Sequence, residues 1–122
     1  MKQIIDETVN IAYNYLAAFG FTKVQVDTLV IQGQKELSTT LDRFVTLLTS
    51  GDTLSSHLEE INAILHALQG LFSQLGNEEI AVKLYEIKDS DTLTPRLVEI
   101  STLLGLPMPL EASRRNDAKY VR

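Results

Sequence analysis

His66 is the residue in this sequence whose side chain and surroundings best suit chemistry. It follows Leu65 in a segment with apolar residues at helical spacing, so it is predicted about 100° around the helix from the apolar stripe, at the flank. Gly70 lies one helical turn after His66. A glycine inside a helix costs about 1 kcal/mol of helix stability, and its missing side chain leaves space for another molecule. The imidazole is therefore expected to be accessible. The residues sharing its side of the predicted helix are Asn62, Gln69, Gly70 and Ser73.

An accessible histidine can act as a nucleophile through an unprotonated ring nitrogen. His57 is not expected to pair with His66, because a separation of nine residues places the two on opposite sides of a helix.

The segment around this histidine resembles the signature of histidine phosphotransfer (HPt) domains. That signature is a histidine followed by leucine at +2, lysine at +3, glycine at +4 and glycine at +10. Beginning at His66, this sequence has Leu68, Gly70 and Gly76 at the corresponding positions, so four of the five positions match. In its pattern of helices and turns the resemblance covers roughly residues 26–89, about half of the chain.

The resemblance implies that His66 accepts a phosphoryl group from a histidine kinase or a response-regulator aspartate and passes it to another response regulator. It implies a phosphocarrier rather than a turnover enzyme. The regulator would bring its own aspartate and magnesium, so neither a cofactor nor a metal site is expected in this chain. The residues expected to contact the phosphoryl group or the docked partner are Gln69, Gly70, Asn62 and Ser73.

Gln69 is the main departure from the HPt signature, because the family's lysine at this position steadies the phosphoryl oxygens. Glutamine donates hydrogen bonds but carries no charge, so a phosphorylated His66 would be less well neutralised. Leu71 replaces a residue that is often small in the family and is expected to alter the docking surface. Two alternatives stay open: a working phosphocarrier with a weak phosphate clamp, or an HPt-like docking module that has lost phosphotransfer.

A further alternative is an interaction module that binds its partner through an apolar groove, with His66 incidental. The first and fifth predicted helices would then matter more than the third. An enzyme with its own turnover is the weakest alternative, because the sequence has no Ser/His/Asp set, Gly-rich phosphate loop or paired-carboxylate arrangement. The acidic pairs at residues 59–60 and 78–79 are explained by their placement near predicted helix N-termini.

Composition limits the remaining function classes. The chain has 122 residues, 44% hydrophobic and 22% charged, which suits one globular domain. It has no cysteine, which excludes disulfides, a thiolate nucleophile and cysteine-ligated metal sites. The net charge of −5 disfavours nucleic-acid binding. Asp6 and Glu7 interrupt any signal-peptide core, and the longest apolar run is shorter than the roughly 20 residues of a membrane span, so a cytoplasmic protein without membrane contact is expected.

Apolar residues recur at three- and four-residue steps through most of the chain, which predicts an all-α fold. The helices are expected over about residues 2–19, 22–49, 54–75, 77–88 and 94–104. The predicted helix starts are marked by Thr22 with Gln25, by Asn77, and by Thr94 with Pro95. The predicted ends and turns are marked by Gly20, Gly51 with Asp52, Gly76 and Gly105. In the first predicted helix, the apolar residues at helical spacing include Phe19. The third and most regular stripe contains Leu54, Leu58, Ile61, Leu65, Leu68, Phe72 and Leu75.

Helices of this number with short turns pack best as an antiparallel up-and-down four-helix bundle core with one additional helix. A single bundle domain is expected over residues 1–109. Residues 110–122 contain four basic and two acidic residues, a local charge of +2, and are predicted to be a flexible tail. Gln32 and Gln34 of the second helix would orient the imidazole if the register brings them level with His66.

Overall fold

The computed structural model describes residues 2–49, 57–88 and 93–107. These residues form no strand and five helices: α1 (Lys2–Ala17), α2 (Lys23–Thr49), α3 (Leu58–Gln74), α4 (Glu78–Lys88) and α5 (Leu93–Leu104). The predicted all-α fold is confirmed for them. The predicted turn at Gly51 and Asp52, Leu54 of the third stripe and the tail at 110–122 lie outside the described residues. None of the five helices is long and apolar enough to span a lipid bilayer.

Side-chain caps begin two of the helices where the sequence predicts them. At the start of α2, the Gln25 backbone N–H donates to Thr22 Oγ1 (3.2 Å) and the Thr22 N–H donates to Gln25 Oε1 (2.9 Å), which is the predicted capping box. At the start of α4, the Ile80 N–H donates to Asn77 Oδ1 (3.5 Å). These bonds satisfy backbone N–H groups that have no partner inside the helix.

The turn that ends α3 is held by Gly76 and Asn77. Gly76 has a left-handed backbone (φ 85°), and the Asn77 N–H donates to the Phe72 carbonyl (2.8 Å), as in a Schellman motif. The buried Asn77 side chain also donates from Nδ2 to Thr8 Oγ1 of α1 (3.0 Å). This contact ties α1 to the end of the helix that carries His66.

Three predicted boundaries are wrong. α3 begins at Leu58, with His57 as its N-cap, and not at residue 54. α1 ends at Ala17, and Phe19 is 62% exposed instead of belonging to the core, because the chain has already turned at residues 18–20. α5 begins at Leu93, so Thr94 lies inside the helix and is not its N-cap. Pro95 is the third residue of α5, where a missing N–H is tolerated because the first turn has no internal acceptor for it.

Each helix packs against the next one along the chain, and all five contribute to one core. α2 and α3 run antiparallel. Arg43 Nη2 lies 4.0 Å from Glu60 Oε1 near one end of the pair, and Gly33 lies against Leu75 near the other. A β-carbon at Gly33 would stand 2.6 Å from Leu75 Cδ2, so the glycine allows the two helices to approach closely. This packing holds α3 from its inner side.

Candidate functional site

His66 lies in the middle of α3 with its side chain exposed. The predicted stripe omitted Ile64, which is buried, and wrongly included Leu58, which is 42% exposed in the first turn. The burial of Ile64 moves the centre of the buried face away from the side next to His66. The predicted exposure is therefore confirmed, but His66 lies nearer the centre of the outer face than its flank. The buried face of α3 consists of Ile61, Ile64, Leu65, Leu68 and Phe72.

Gly70 leaves open space one turn beyond His66. It is exposed, and a β-carbon at this position would meet no heavy atom of the described residues within 4 Å. Gly33 and Gly76 are different, because a β-carbon at either would collide with a neighbouring side chain. Gly76 also has a left-handed backbone, and a β-carbon at Gly33 would force the Leu75 side chain to move; neither constraint applies at Gly70, where alanine would favour the helix. This difference suggests that Gly70 serves contact with another molecule and not the packing of the helices.

Asn62, Gln69 and Ser73 fall within about 40° of one another around α3, and all three are half-buried. Ser73 Oγ donates to Glu78 Oε1 at the start of α4 (2.9 Å), so its hydroxyl is engaged and a carboxylate lies on this side. The side chain of Gln69 forms no hydrogen bond with any described residue. Its amide is therefore available to donate to a group held on His66, one helical turn away.

The opposite side of α3 faces α2. Leu71 is half-buried there, packs against the core and lines an open groove with Lys35 and Thr39 of α2. Leu71 thus contributes to the edge between the two helices instead of standing beside His66. Nothing in the sequence indicated this groove, because the register between α2 and α3 decides which residues of α2 lie beside Leu71.

Gln32 and Gln34 are not level with His66. Gly33, which lies between them in the sequence, contacts Leu75. Leu75 lies nine residues beyond His66 in the chain, which corresponds to about 13 Å along a helix axis. Both glutamines therefore lie near the C-terminal end of α3, too far away to orient the imidazole.

His57 directly precedes α3 and is half-buried. Its Nδ1 lies 3.9 Å from Glu60 Oε2, and it lies nine positions before His66. The two histidines therefore do not form a pair, as predicted. Within the described ranges, no three His, Asp or Glu side chains are grouped so that they could hold a metal ion.

The site as a whole presents one imidazole on an exposed helix face, open space at Gly70 on one side and the amide of Gln69 on another. Such an arrangement can attack an electrophilic atom that a second molecule presents, provided that the second molecule supplies the other catalytic groups. Comparison with models of known protein families, with curated proteins and with solved structures finds no match for this chain.

Proposed function

We propose that this protein is a histidine phosphotransfer protein of a two-component phosphorelay. It carries a phosphoryl group on His66 between a histidine kinase or response-regulator aspartate and another response regulator. The observation that carries the proposal is the exposed imidazole at the middle of α3 with open space at Gly70. The resemblance of the segment around His66 to the HPt signature implies phosphorus as the electrophile. Incubation with a phosphorylated receiver domain, followed by assay for acid-labile label on this chain, tests the proposal.

The proposed scaffold is an antiparallel four-helix bundle formed by α1 to α4, with α5 as an additional helix. Sequential packing of the helices and the antiparallel arrangement of α2 and α3 support it. The buried bond between Asn77 and Thr8 supports it too, because it joins α1 to the turn between α3 and α4. A bundle of this kind holds α3 from within and leaves its outer face open to a receiver domain. The protein is then a cytoplasmic phosphocarrier and not a turnover enzyme.

In the proposed step, a ring nitrogen of His66 attacks the phosphorus of an aspartyl phosphate on the regulator. The N–P bond forms while the P–O bond to the aspartate breaks, and the carboxylate stays on the regulator. The regulator contributes its aspartate and magnesium, and this chain contributes position, since α3 holds the imidazole in place. The Gln69 amide donates a hydrogen bond to a phosphoryl oxygen.

Gly70→Ala is expected to change the stability of the protein and its rate of phosphotransfer in opposite directions. The variant is expected to be more stable by up to about 1 kcal/mol, because alanine favours a helix and its methyl group meets open space. Transfer from a phosphorylated receiver domain is expected to become several-fold slower, because that methyl group occupies the space where the partner approaches. Urea unfolding and the initial rate of labelling measure the two effects. Gln74→Ala, also at an exposed position of α3, is the control and should transfer at the wild-type rate.

Unchanged transfer in a stabilised Gly70→Ala variant would contradict docking at this face. Slower transfer in both variants would show that the rate responds to any substitution on the outer face of α3 and not to the space at Gly70.

Gln69→Lys is expected to lengthen the lifetime of the phosphorylated form several-fold at low salt. The new ammonium group lies one turn from His66, where an exposed pair with a phosphate dianion contributes on the order of 1 kcal/mol and is screened by salt. The free energy of unfolding should hardly change, because glutamine and lysine have similar helix propensity. The half-life of the label at two salt concentrations measures the effect. Gln74→Lys adds the same charge two turns away and should leave the half-life unchanged.

A docking module without phosphotransfer is the second candidate, and the uncharged Gln69 in the position of the family's lysine favours it. The same outer face of α3 would then bind a receiver domain without accepting its phosphoryl group. Binding of the receiver domain, with no label on either the wild type or Gln69→Lys, would support this candidate over the phosphocarrier.

A further inference from the structure

The outer face of α2 carries exposed apolar side chains that the proposed phosphotransfer does not use. Val24 is 73% exposed and Ile31 is 63% exposed. The seven residues from one to the other make about two helical turns, so both side chains lie on the same face. Exposed apolar residues that line up along one face of a helix suggest a surface for another protein.

The charged and polar residues on this face are arranged symmetrically about Ile31. Asp27 lies four residues before it and Lys35 lies four residues after it, while Thr28 and Gln34 lie three residues before and after. At about 100° per residue, Asp27 and Lys35 fall within about 40° of Ile31, on opposite sides of it. Lys35 is exposed and Asp27 is half-buried, and neither charge is paired within the described part of the chain.

We propose that this face of α2 pairs with the same face of a second copy of this chain, antiparallel, about a two-fold axis at Ile31. The axis runs perpendicular to both helices and reverses the direction along the helix, so residues equally far before and after Ile31 lie level with each other. Asp27 then lies level with Lys35 of the second copy, across the contact, and Lys35 lies level with its Asp27. Two ion pairs thus span the contact about one helical turn before and after the central Ile31 side chains.

The charge pattern selects this orientation. In a parallel pairing, Asp27 would lie opposite Asp27 and Lys35 opposite Lys35, and both contacts would be repulsive. The antiparallel pairing turns each of them into an attraction. The contact is made by α2, whereas His66 lies on the outer face of α3. The two surfaces come nearest at Lys35, which lines the groove between α2 and α3 together with Leu71.

Cysteine crosslinking tests the position of the axis, because the sequence has no cysteine of its own. Ile31→Cys is expected to form an intermolecular disulfide readily under mild oxidation, since the axis brings the two residues together. Val24→Cys should not, although Val24 is the more exposed of the two, because the axis places the two copies of residue 24 about 21 Å apart. The double variant Val24→Cys with Ser38→Cys should crosslink, since these positions lie opposite each other.

Val82→Cys, on α4 and 51% exposed, gives the rate of random collisional crosslinking. Crosslinking of Ile31→Cys no faster than that of Val82→Cys would overturn the proposal. Crosslinking of Val24→Cys as fast as that of Ile31→Cys would overturn the antiparallel register.

Charge reversal tests the two ion pairs independently. Asp27→Lys and Lys35→Asp are each expected to weaken dimerisation about tenfold or more, because each replaces two attractions by two repulsions. The double reversal should restore the wild-type Kd, since the pairs form again with their signs exchanged. Sedimentation equilibrium measures Kd, and circular dichroism checks that each variant keeps its helices. A monomeric wild type, or a double reversal no tighter than the single variants, would overturn the proposal.

Discussion

His66→Ala is expected to abolish the phosphoryl label that this protein acquires from a phosphorylated receiver domain or a histidine kinase. The imidazole is the proposed nucleophile, and alanine has no group that could replace it. The label on the wild type should be lost in acid and persist in base, because a phosphoramidate hydrolyses in acid whereas a serine phosphate ester survives it. Quantifying the label after acid and base treatment measures both properties.

His57→Ala is the matched control, because His57 is the other histidine of the chain. It should be labelled like the wild type, since it lies at the start of α3 beside Glu60 and away from the proposed site. His66→Gln keeps a polar side chain at the exposed position and should also remain unlabelled. Equal labelling of the His66→Ala and His57→Ala variants would place the phosphoryl group elsewhere and contradict the proposed role of His66.

Phe72→Ala is expected to lower the free energy of unfolding by about 3–5 kcal/mol. Phe72 is fully buried in the inner face of α3, and the truncation removes apolar contacts and leaves a cavity. Because a domain of this size is stable by only about 5–15 kcal/mol, the variant should unfold at a much lower urea concentration. Urea unfolding followed by circular dichroism measures the loss.

Leu58→Ala is the control for Phe72→Ala, because the spacing of apolar residues puts both in one stripe. Leu58 is 42% exposed, so its truncation should cost less than about 1 kcal/mol. A loss as large as that of Phe72→Ala would mean that Leu58 is buried in solution.

Local structure follows from neighbours in the sequence and could be predicted from it. The capping box of Thr22 and Gln25 and the glycine turn at Gly76 involve residues within a few positions of each other, so their spacing is sufficient to identify them. The same holds for the exposure of His66 and the position of Gly70 one turn away, because one helix places both.

The sequence by itself thus determined the helices, most of their ends and the residue suited to chemistry. The tertiary structure alone decided which residues of other helices lie beside one another. Gln32 and Gln34 lie near the C-terminal end of α3 because Gly33 packs on Leu75, and Asn77 bonds to Thr8 because α1 lies beside the turn between α3 and α4. Such contacts depend on the register and crossing of helices, which arise from packing between segments far apart in the chain and leave no periodic signal within either segment.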